Sequence, residues 1–335
     1  MWIIGCDFHP GFQVIAMTNQ ETGEWLERRL GHVEEAERFY RALEPSRVAI
    51  EAGGHGQWFE RLVRECGHEL WVGDAARIRA SYVRKQKTDR RDCRHILQLM
   101  LEDRFPRLWT PTPEERDTRQ LLVHRQGRVR MRTQVKNQLQ ALALNQGVQR
   151  KRKLWTEAGR QQLCALPLLP FAAQRREALL RSLQQLDQEI AELNQRVLAE
   201  AQSRPAAARL MTHPGVGPNT ALGFVLTIGP VERFPTAKQV SSYLGLIPRE
   251  HSSGGKQRLG AISKQGSPLM RYLLVEAAQS AVRGDAALGR AYRRCALRQG
   301  RPKAKVAAAR KLATRLYWML RNGQDYAQLV GSSCR

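Results

Sequence analysis

Four carboxylates stand out by where they fall in the chain. Asp7 interrupts the apolar run Trp2-Ile3-Ile4-Gly5-Cys6, and Glu51 closes the run Val48-Ala49-Ile50. Asp89 and Asp92 lie three apart in Lys87-Thr88-Asp89-Arg90-Arg91-Asp92. A charge inside an apolar strand is costly unless it is paired or binds a metal. Strand ends in α/β sheets are where ligands gather. A helical spacing of three puts two side chains on one face, about 5–6 Å apart at Cβ. Four carboxylates brought together repel, so a cation must hold them, and hard oxygen donors select Mg²⁺ or Mn²⁺. Two such ions roughly 3.5–4 Å apart clamp the attacking and leaving oxygens of a phosphodiester exchange. Taken singly, Asp89 or Asp92 reads better as a surface ion pair with Arg90, Arg91 or Arg94. The constellation is far more specific than any of its members. His9, His55 and His251 lie near the motifs, and each alone reads as structural or solvent-facing.

The elements that must position these acids alternate strand and helix. Residues 2–7, 12–17 and 24–30 read as three strands of a meander, with a turn at Asn19-Gln20-Glu21-Thr22-Gly23. A Glu-rich helix over 33–43, a strand over 47–51, a helix over about 58–66 and a strand over 69–72 follow. This is the order of a ribonuclease-H-like α/β fold, although periodicity alone does not separate it from other α/β folds. Residues 89–101 read as a helix, and Pro106, Pro111 and Pro113 mark a linker after it.

The rest of the chain differs in charge. Among 335 residues, 55 are Lys or Arg and 31 are Asp or Glu, a net charge of +24. Residues 1–100 hold 15 basic and 15 acidic residues, 101–200 hold 18 and 11, and 201–335 hold 22 and 5. So basic a surface is the electrostatic footprint of a polyanion, nucleic acid first. A membrane surface is a weaker candidate, because no basic amphipathic helix with an aromatic face is apparent. No apolar run reaches the length of a membrane span, and the N-terminus does not read as a secretion signal. The six cysteines form no CxxC pair, which argues for reduced thiols in a cytosolic protein and against a zinc site or a disulfide scaffold.

A long basic helix is expected over about 114–144, crowded with Arg119, Arg125, Arg128, Arg130, Arg132 and Lys136. Its arginines are either a solvated face or contacts to RNA or DNA. Leu179, Leu183, Leu186, Ile190, Leu193 and Val197 form a heptad seam. It predicts a coiled coil between subunits, a helix folded back on the preceding one, or a helix packed on its own domain. Pro214-Gly215-Val216-Gly217-Pro218 precedes a helix in the most basic third, and Gly215 and Gly217 suit a phosphate-binding hairpin between helices.

On these residues the chain resembles the DEDD transposases of the insertion-sequence-110 family, which include pilin-gene-inverting recombinases. Gly5-Cys6-Asp7-Phe8-His9, Ile50-Glu51-Ala52 and Lys87-Thr88-Asp89-Arg90-Arg91-Asp92 are similar to its acid motifs. Phe234-Pro235-Thr236-Ala237, Tyr243-Leu244-Gly245-Leu246-Ile247-Pro248, Ser252-Ser253-Gly254-Gly255-Lys256, Ile262-Ser263-Lys264-Gln265-Gly266 and Leu269-Met270-Arg271 are similar to its C-terminal domain. Pro10 stands where family members often carry Lys, and no acid is missing.

The resemblance implies a RuvC-like metal-binding domain and a C-terminal serine that attacks DNA and becomes joined to it. It also implies a structured noncoding RNA that pairs with donor and target DNA. A serine needs activation by a base or a metal. Without the resemblance, Ser252-Ser253-Gly254-Gly255 reads as a plain glycine loop. With it, Ser253 is the expected nucleophile because it directly precedes Gly254, and Ser252 is second, flanked by Lys256, Arg258, Lys264 and Arg271 for the DNA backbone.

The expected architecture is α/β plus α. A RuvC-like catalytic domain spans 1–104, a helical coiled-coil linker and assembly segment 105–204, and a mainly helical basic domain with a helix-hairpin-helix-like turn and serine loop 205–335. The expected activity is transposition or recombination in the prokaryotic cytosol, by a dimer or tetramer acting on double-stranded donor and target DNA. The rivals are a junction-resolving nuclease, a site-specific invertase of the same family and a non-catalytic nucleic-acid-binding relative.

Overall fold

Alternating burial along the N-terminal strands builds one sheet with two covered faces. The computed structural model describes residues 1–82, 88–149, 153–252 and 257–332. Strands β1 (Trp2–Phe8), β2 (Phe12–Asn19) and β3 (Trp25–Gly31) are followed by α1 (Glu34–Arg41), β4 (Arg47–Glu51), α2 (Gln57–Glu65), β5 (Glu69–Gly73), α3 (Ala75–Ala80) and α4 (Asp89–Leu101). The sheet order is β3-β2-β1-β4-β5. The first three strands form an antiparallel meander, and β4 and β5 run parallel to β1. Ile4, Cys6, Ile15, Met17, Val48 and Ile50 point to the face covered by Tyr40 of α1 and Phe59, Leu62 and Val63 of α2. Ile3, Val14, Ala16 and Ala49 point to the other face and meet Cys93, Ile96 and Leu97 of α4. The period of two that marks a strand thus assigns each side chain to a layer.

The meander and the helix over 89–101 stand where the sequence places them; α3 lacks an apolar repeat long enough to be seen beforehand. This unit runs through Thr110. The chain stays with it past residue 104 because Asp74 N–H donates to Pro106 O (2.9 Å), Leu108 N–H donates to Val72 O (2.7 Å), and Phe105 is buried against the sheet.

The second unit, Pro111–Arg335, is mainly helical. It contains α5 (Pro113–Asn145), α6 (Glu157–Cys164), α7 (Pro170–Ser203), α8 (Pro205–Met211), α9 (Pro218–Ile228), α10 (Ala237–Tyr243), the hairpin β6 (Pro248–Glu250) and β7 (Leu259–Ile262), α11 (Pro268–Gly284), α12 (Ala286–Gln299), α13 (Arg301–Arg321) and α14 (Tyr326–Ser332). Thr112 and Glu115 form a capping box that starts α5, with Pro113 in its first turn. The seam residues Leu183, Leu186, Ile190, Leu193 and Val197 are buried. They pack within the chain, since α7 folds back antiparallel on α5: Arg132 meets Asp187 while Arg125 meets Asn194. Leu122 of α5 and Val197 and Ala201 of α7 enter the same core as α9, α11 and α13, so the middle helices are continuous with the basic C-terminal part. No helix among the described residues is long and apolar enough to cross a membrane.

Candidate metal centre

Gly5 sets the distance between strand and helix. A Cβ at this position would lie 2.4 Å from Cys93 O and 2.5 Å from Leu97 N, so only glycine lets α4 rest directly on β1. That approach brings the first turn of α4 to the C-terminal end of β1. Thr88 caps the helix by accepting from Arg91 N–H. Asp89 and Asp92 occupy the first turn, where the helix terminus favours negative charge.

Carboxylate oxygens of Asp7 and Asp89 and a ring nitrogen of His9 lie within 4.8 Å of one another. His9 Nε2 is 3.1 Å from Asp7 Oδ2 and 3.7 Å from Asp89 Oδ1. The parallel register, with Cys6 opposite Ile50, sets Glu51 beside Asp7 at the strand ends. Asp92 is buried, and Tyr82 O–H donates to its Oδ1 at 2.6 Å. Burial raises the Asp7 carboxyl above the usual aspartate range. His9 opposes the rise, while the Asp92 and Asp89 charges add to it. Tyr82 is also held far above the usual phenol range, by burial first, then by its bond to Asp92 and the fields of Asp92, Asp7 and Glu51. One phenol therefore senses three of the four acids.

Converging carboxylate oxygens suit a divalent cation, which removes their repulsion. Asp7 and Asp89 have the donors already directed at one point, with His9 between them. Among the described residues Glu51 and Asp92 are not in that 4.8 Å group: Glu51 neighbours Asp7 in strand register, and Asp92 acts on Asp7 through its field. His9, which alone reads as structural or solvent-facing, belongs to this cluster through its bond to Asp7. The pattern Asp7-x-His9, two residues of one parity at a strand end, was its only local signal. Tyr82 had none, because the residue it meets, Asp92, lies ten positions on in the following helix.

The residues expected to touch nucleic acid are placed unequally. Arg125 Nε donates to Asn194 Oδ1 (2.9 Å), Arg128 Nε pairs with Glu189 (3.2 Å), and Arg132 pairs with Asp187 (3.2 Å). All three therefore hold α5 to α7. Gly215 has φ +82°, and a Cβ there would lie 2.4 Å from Ala281 N, so this glycine serves the packing of the turn on α11. Gly217 is exposed with open space around it and caps α9. Arg271 donates to the carbonyls of Leu244, Gln265 and Gly266, fastening the loop before α11. Lys264 and Arg258 are exposed. Ser252 Oγ donates to Glu250 Oε1 (2.7 Å) and accepts from Arg258 N–H (3.1 Å), closing the neck of the β6–β7 hairpin. Ser253, Lys256 and Lys87 lie outside the described residues.

Residues 4–147 match a family described as Transposase, of the DEDD IS110 type, and residues 207–293 match the family described as Transposase IS116/IS110/IS902 family. The chain is 32% identical over 250 residues to a protein named "Probable family 20 transposase" from Pseudomonas aeruginosa, covering 73% of this chain and 74% of the relative. It is 30% identical to the transposase for insertion sequence element IS1111A of Coxiella burnetii, over 70% of this chain and 66% of that one. It is also 26% identical to the pilin gene-inverting protein of Moraxella bovis, over 56% and 58%. An acid cluster suited to a divalent metal on a mixed sheet, and a basic helical unit beside it in sequence, agree with these likenesses: the chain belongs to the IS116/IS110/IS902 family of transposases and is an enzyme that acts on DNA.

Proposed function

We propose that this transposase cleaves and rejoins DNA strands with a metal-assisted serine nucleophile. The observation that carries the reading is the convergence of Asp7, Asp89 and His9 within 4.8 Å. The strand order β3-β2-β1-β4-β5, with the meander antiparallel and the rest parallel, supports a RuvC-like, ribonuclease-H-like assignment of the first unit. Asp7, Glu51, Asp89 and Asp92 would hold Mg²⁺ or Mn²⁺. A cation bound there would polarise a phosphoryl oxygen and stabilise the charge that develops during strand cleavage.

The protein's own groups orient that chemistry. His9 holds Asp7 by a hydrogen bond, and Tyr82 fixes Asp92 so that its second oxygen keeps one direction. Ser253 supplies the nucleophile. Its oxygen bonds to phosphorus as a bond to a deoxyribose oxygen breaks, and rejoining reverses this exchange. Ser252 stays the second choice, because its hydroxyl is committed to Glu250 and Arg258. The partners are double-stranded donor and target DNA and a structured noncoding RNA. Arg125, Arg128, Arg132, Gly215, Gly217, Lys256, Arg258, Lys264 and Arg271 remain the nucleic-acid candidates, with the exposed Arg258 and Lys264 the most accessible of those described. Joining two DNA molecules requires at least two subunits, as a dimer or tetramer in the cytosol, with the middle segment 105–204 assisting assembly. Site-specific inversion is a second reading, supported by the likeness to the pilin gene-inverting protein.

The test is a covalent protein–DNA adduct. The purified protein is incubated with Mg²⁺, the RNA transcribed from the flank of its own element, and DNA carrying the element's junction. An adduct lost in Ser253→Ala and in Asp7→Ala supports the mechanism. Metal-dependent cleavage without an adduct, unaffected by Ser253→Ala, removes the serine step and leaves a nuclease.

A further inference from the structure

The acid face of the sheet carries a second charged feature. The hydrogen-bonded register sets Asp7 of β1 opposite Val14 of β2, and Val14 opposite Arg29 of the edge strand β3. Directly opposed residues share a face. Asp7 and Arg29 therefore stand in one row, two strand spacings or about 10 Å apart. The Arg29 guanidinium lies over the Phe12 ring, 4.1 Å from its centroid, and Phe12 stacks on His9 with centroids 4.6 Å apart. A guanidinium laid flat on a ring keeps its fork of N–H donors in plane and turned outward.

Arg90, next to Asp89 in the first turn of α4, stands across from it. Both line a cleft of about 520 Å³, with Val14, Glu27, Thr88 and Asp89, and with Arg28, whose guanidinium lies over Phe39. Glu27, which could have neutralised the cleft, is engaged with both Nε and Nη2 of Arg94. Arg29 and Arg90 are exposed, and among the described residues neither lies within ion-pair distance of a carboxylate. Arg90 reaches Glu27 only through its longer-range field. Two exposed guanidiniums lining one cleft, one of them seated on Phe12 and neither ion-paired among the described residues, suit a phosphate, which accepts bidentate N–H donors.

We propose that Arg29 and Arg90 bind a backbone phosphate of the DNA strand being cut, within roughly three nucleotides of the metal centre at the ~3.4 Å rise per nucleotide of a duplex strand. This rests on the metal-centre reading above. The cleft then fixes which phosphodiester of the strand reaches Asp7 and Asp89, because the row Asp7–Val14–Arg29 is set by backbone hydrogen bonds and does not adjust. The neutral charge sum of residues 1–100 hides this site, since a sum does not single out two arginines brought to one cleft.

The test measures binding of the full-length protein to a labelled DNA duplex in EDTA across a salt series, for the parent, R29Q, R90Q, R29Q/R90Q and R29K/R90K. R41Q is the control, because Arg41 is ion-paired with Glu37 on α1. Each phosphate contact removed lowers the slope of log K against log salt by about one and weakens binding several-fold at a given salt. The expected result is a slope lower by about two in R29Q/R90Q, restored in R29K/R90K, unchanged in R41Q, with thermal melts like the parent. An unchanged slope in R29Q/R90Q, a drop equal to that of R41Q, or a drop seen with duplex RNA and not DNA overturns the proposal. Cleavage by D7A checks the other reading separately. A D7A protein that still cuts overturns the metal centre and with it the placing of this phosphate beside a scissile bond, whereas an inactive D7A with an unchanged R29Q/R90Q slope overturns the arginine cleft alone.

Discussion

The sheet-bearing unit and the α5–α7 hairpin treat charge in opposite ways. In the hairpin, opposite charges meet: Arg128 of α5 with Glu189 of α7, and Arg132 of α5 with Asp187 of α7, which also takes Arg160 of α6. These pairs are partly exposed, so each contributes little, but together they set which turns of α5 and α7 face each other. At the end of β1 in the sheet-bearing unit, like charges meet. Burial raises the Asp7 carboxyl and the nearby Asp92 and Asp89 charges add to the rise, and the fold holds them there through Gly5 and the close seat of α4. An arrangement that costs folding free energy and persists belongs to function rather than to stability.

The sharpest way to break this contrast is Asp7→Ala. Removing it relieves repulsion, so the melting temperature should hold or rise. Strand cleavage should fall by more than about a hundredfold, the order lost when a group that stabilises transition-state charge is removed. A folded D7A protein with parental cleavage in Mg²⁺ would sink the metal-centre reading. Gly5→Ala attacks the same site from the packing side. The new methyl meets backbone of α4, so destabilisation of about 1–3 kcal/mol or more is expected, together with weaker Mn²⁺ binding by calorimetry. Parental stability in denaturant melts would show that α4 is not seated as described.

Acid separates the units again. His213, buried before the α8–α9 turn, has its ring pKa lowered to about 4, chiefly by burial. Its Nδ1 is 2.9 Å from Pro214 O, and its Nε2 has no hydrogen-bond partner among the described residues. A depressed folded pKa favours the neutral ring in the native state. Its contribution is complete above the unfolded value near 6.5 and is lost as pH falls from there through about 4. The melting temperature of His213→Gln should therefore fall less than the parent's between pH 6.5 and 4. Parallel curves for the two proteins would remove the assignment. The smallest effect belongs to the hairpin: Arg132→Ala should cost under about 1 kcal/mol, as a part-exposed pair does. A loss of DNA affinity with a lower salt slope in the same variant would show that this arginine also reaches phosphate.

Much of the fold was legible because burial and periodicity agree. The meander, the strand Arg47–Glu51 and the helix Asp89–Leu101 lie where their apolar repeats place them. Thr88 and the capping box at Thr112 mark helix starts with local chemistry. The β6–β7 hairpin and α3 were not legible. Both are short and mostly exposed, so neither leaves a repeat long enough to count. The heptad seam predicted burial but not its partner, since the same apolar stripe fits another subunit or α5 equally well.

By itself the sequence determined the residue types and their local geometry: an acid in an apolar strand, an acid at a strand end, and two acids on one helical face. Those follow from periods of two and 3.6, which need no tertiary contact. Only the tertiary structure decided who meets whom. It turned Asp92 toward Tyr82, drew His9 between Asp7 and Asp89, and aligned Arg29 with Asp7 across two strands. It also paired Arg125, Arg128 and Arg132 with α7, although their charge alone suits phosphate equally well. The reason is that a charge acts over the distance to its nearest partner. For these residues that distance is set by strand register, by the missing side chain of Gly5 and by the antiparallel return of α7.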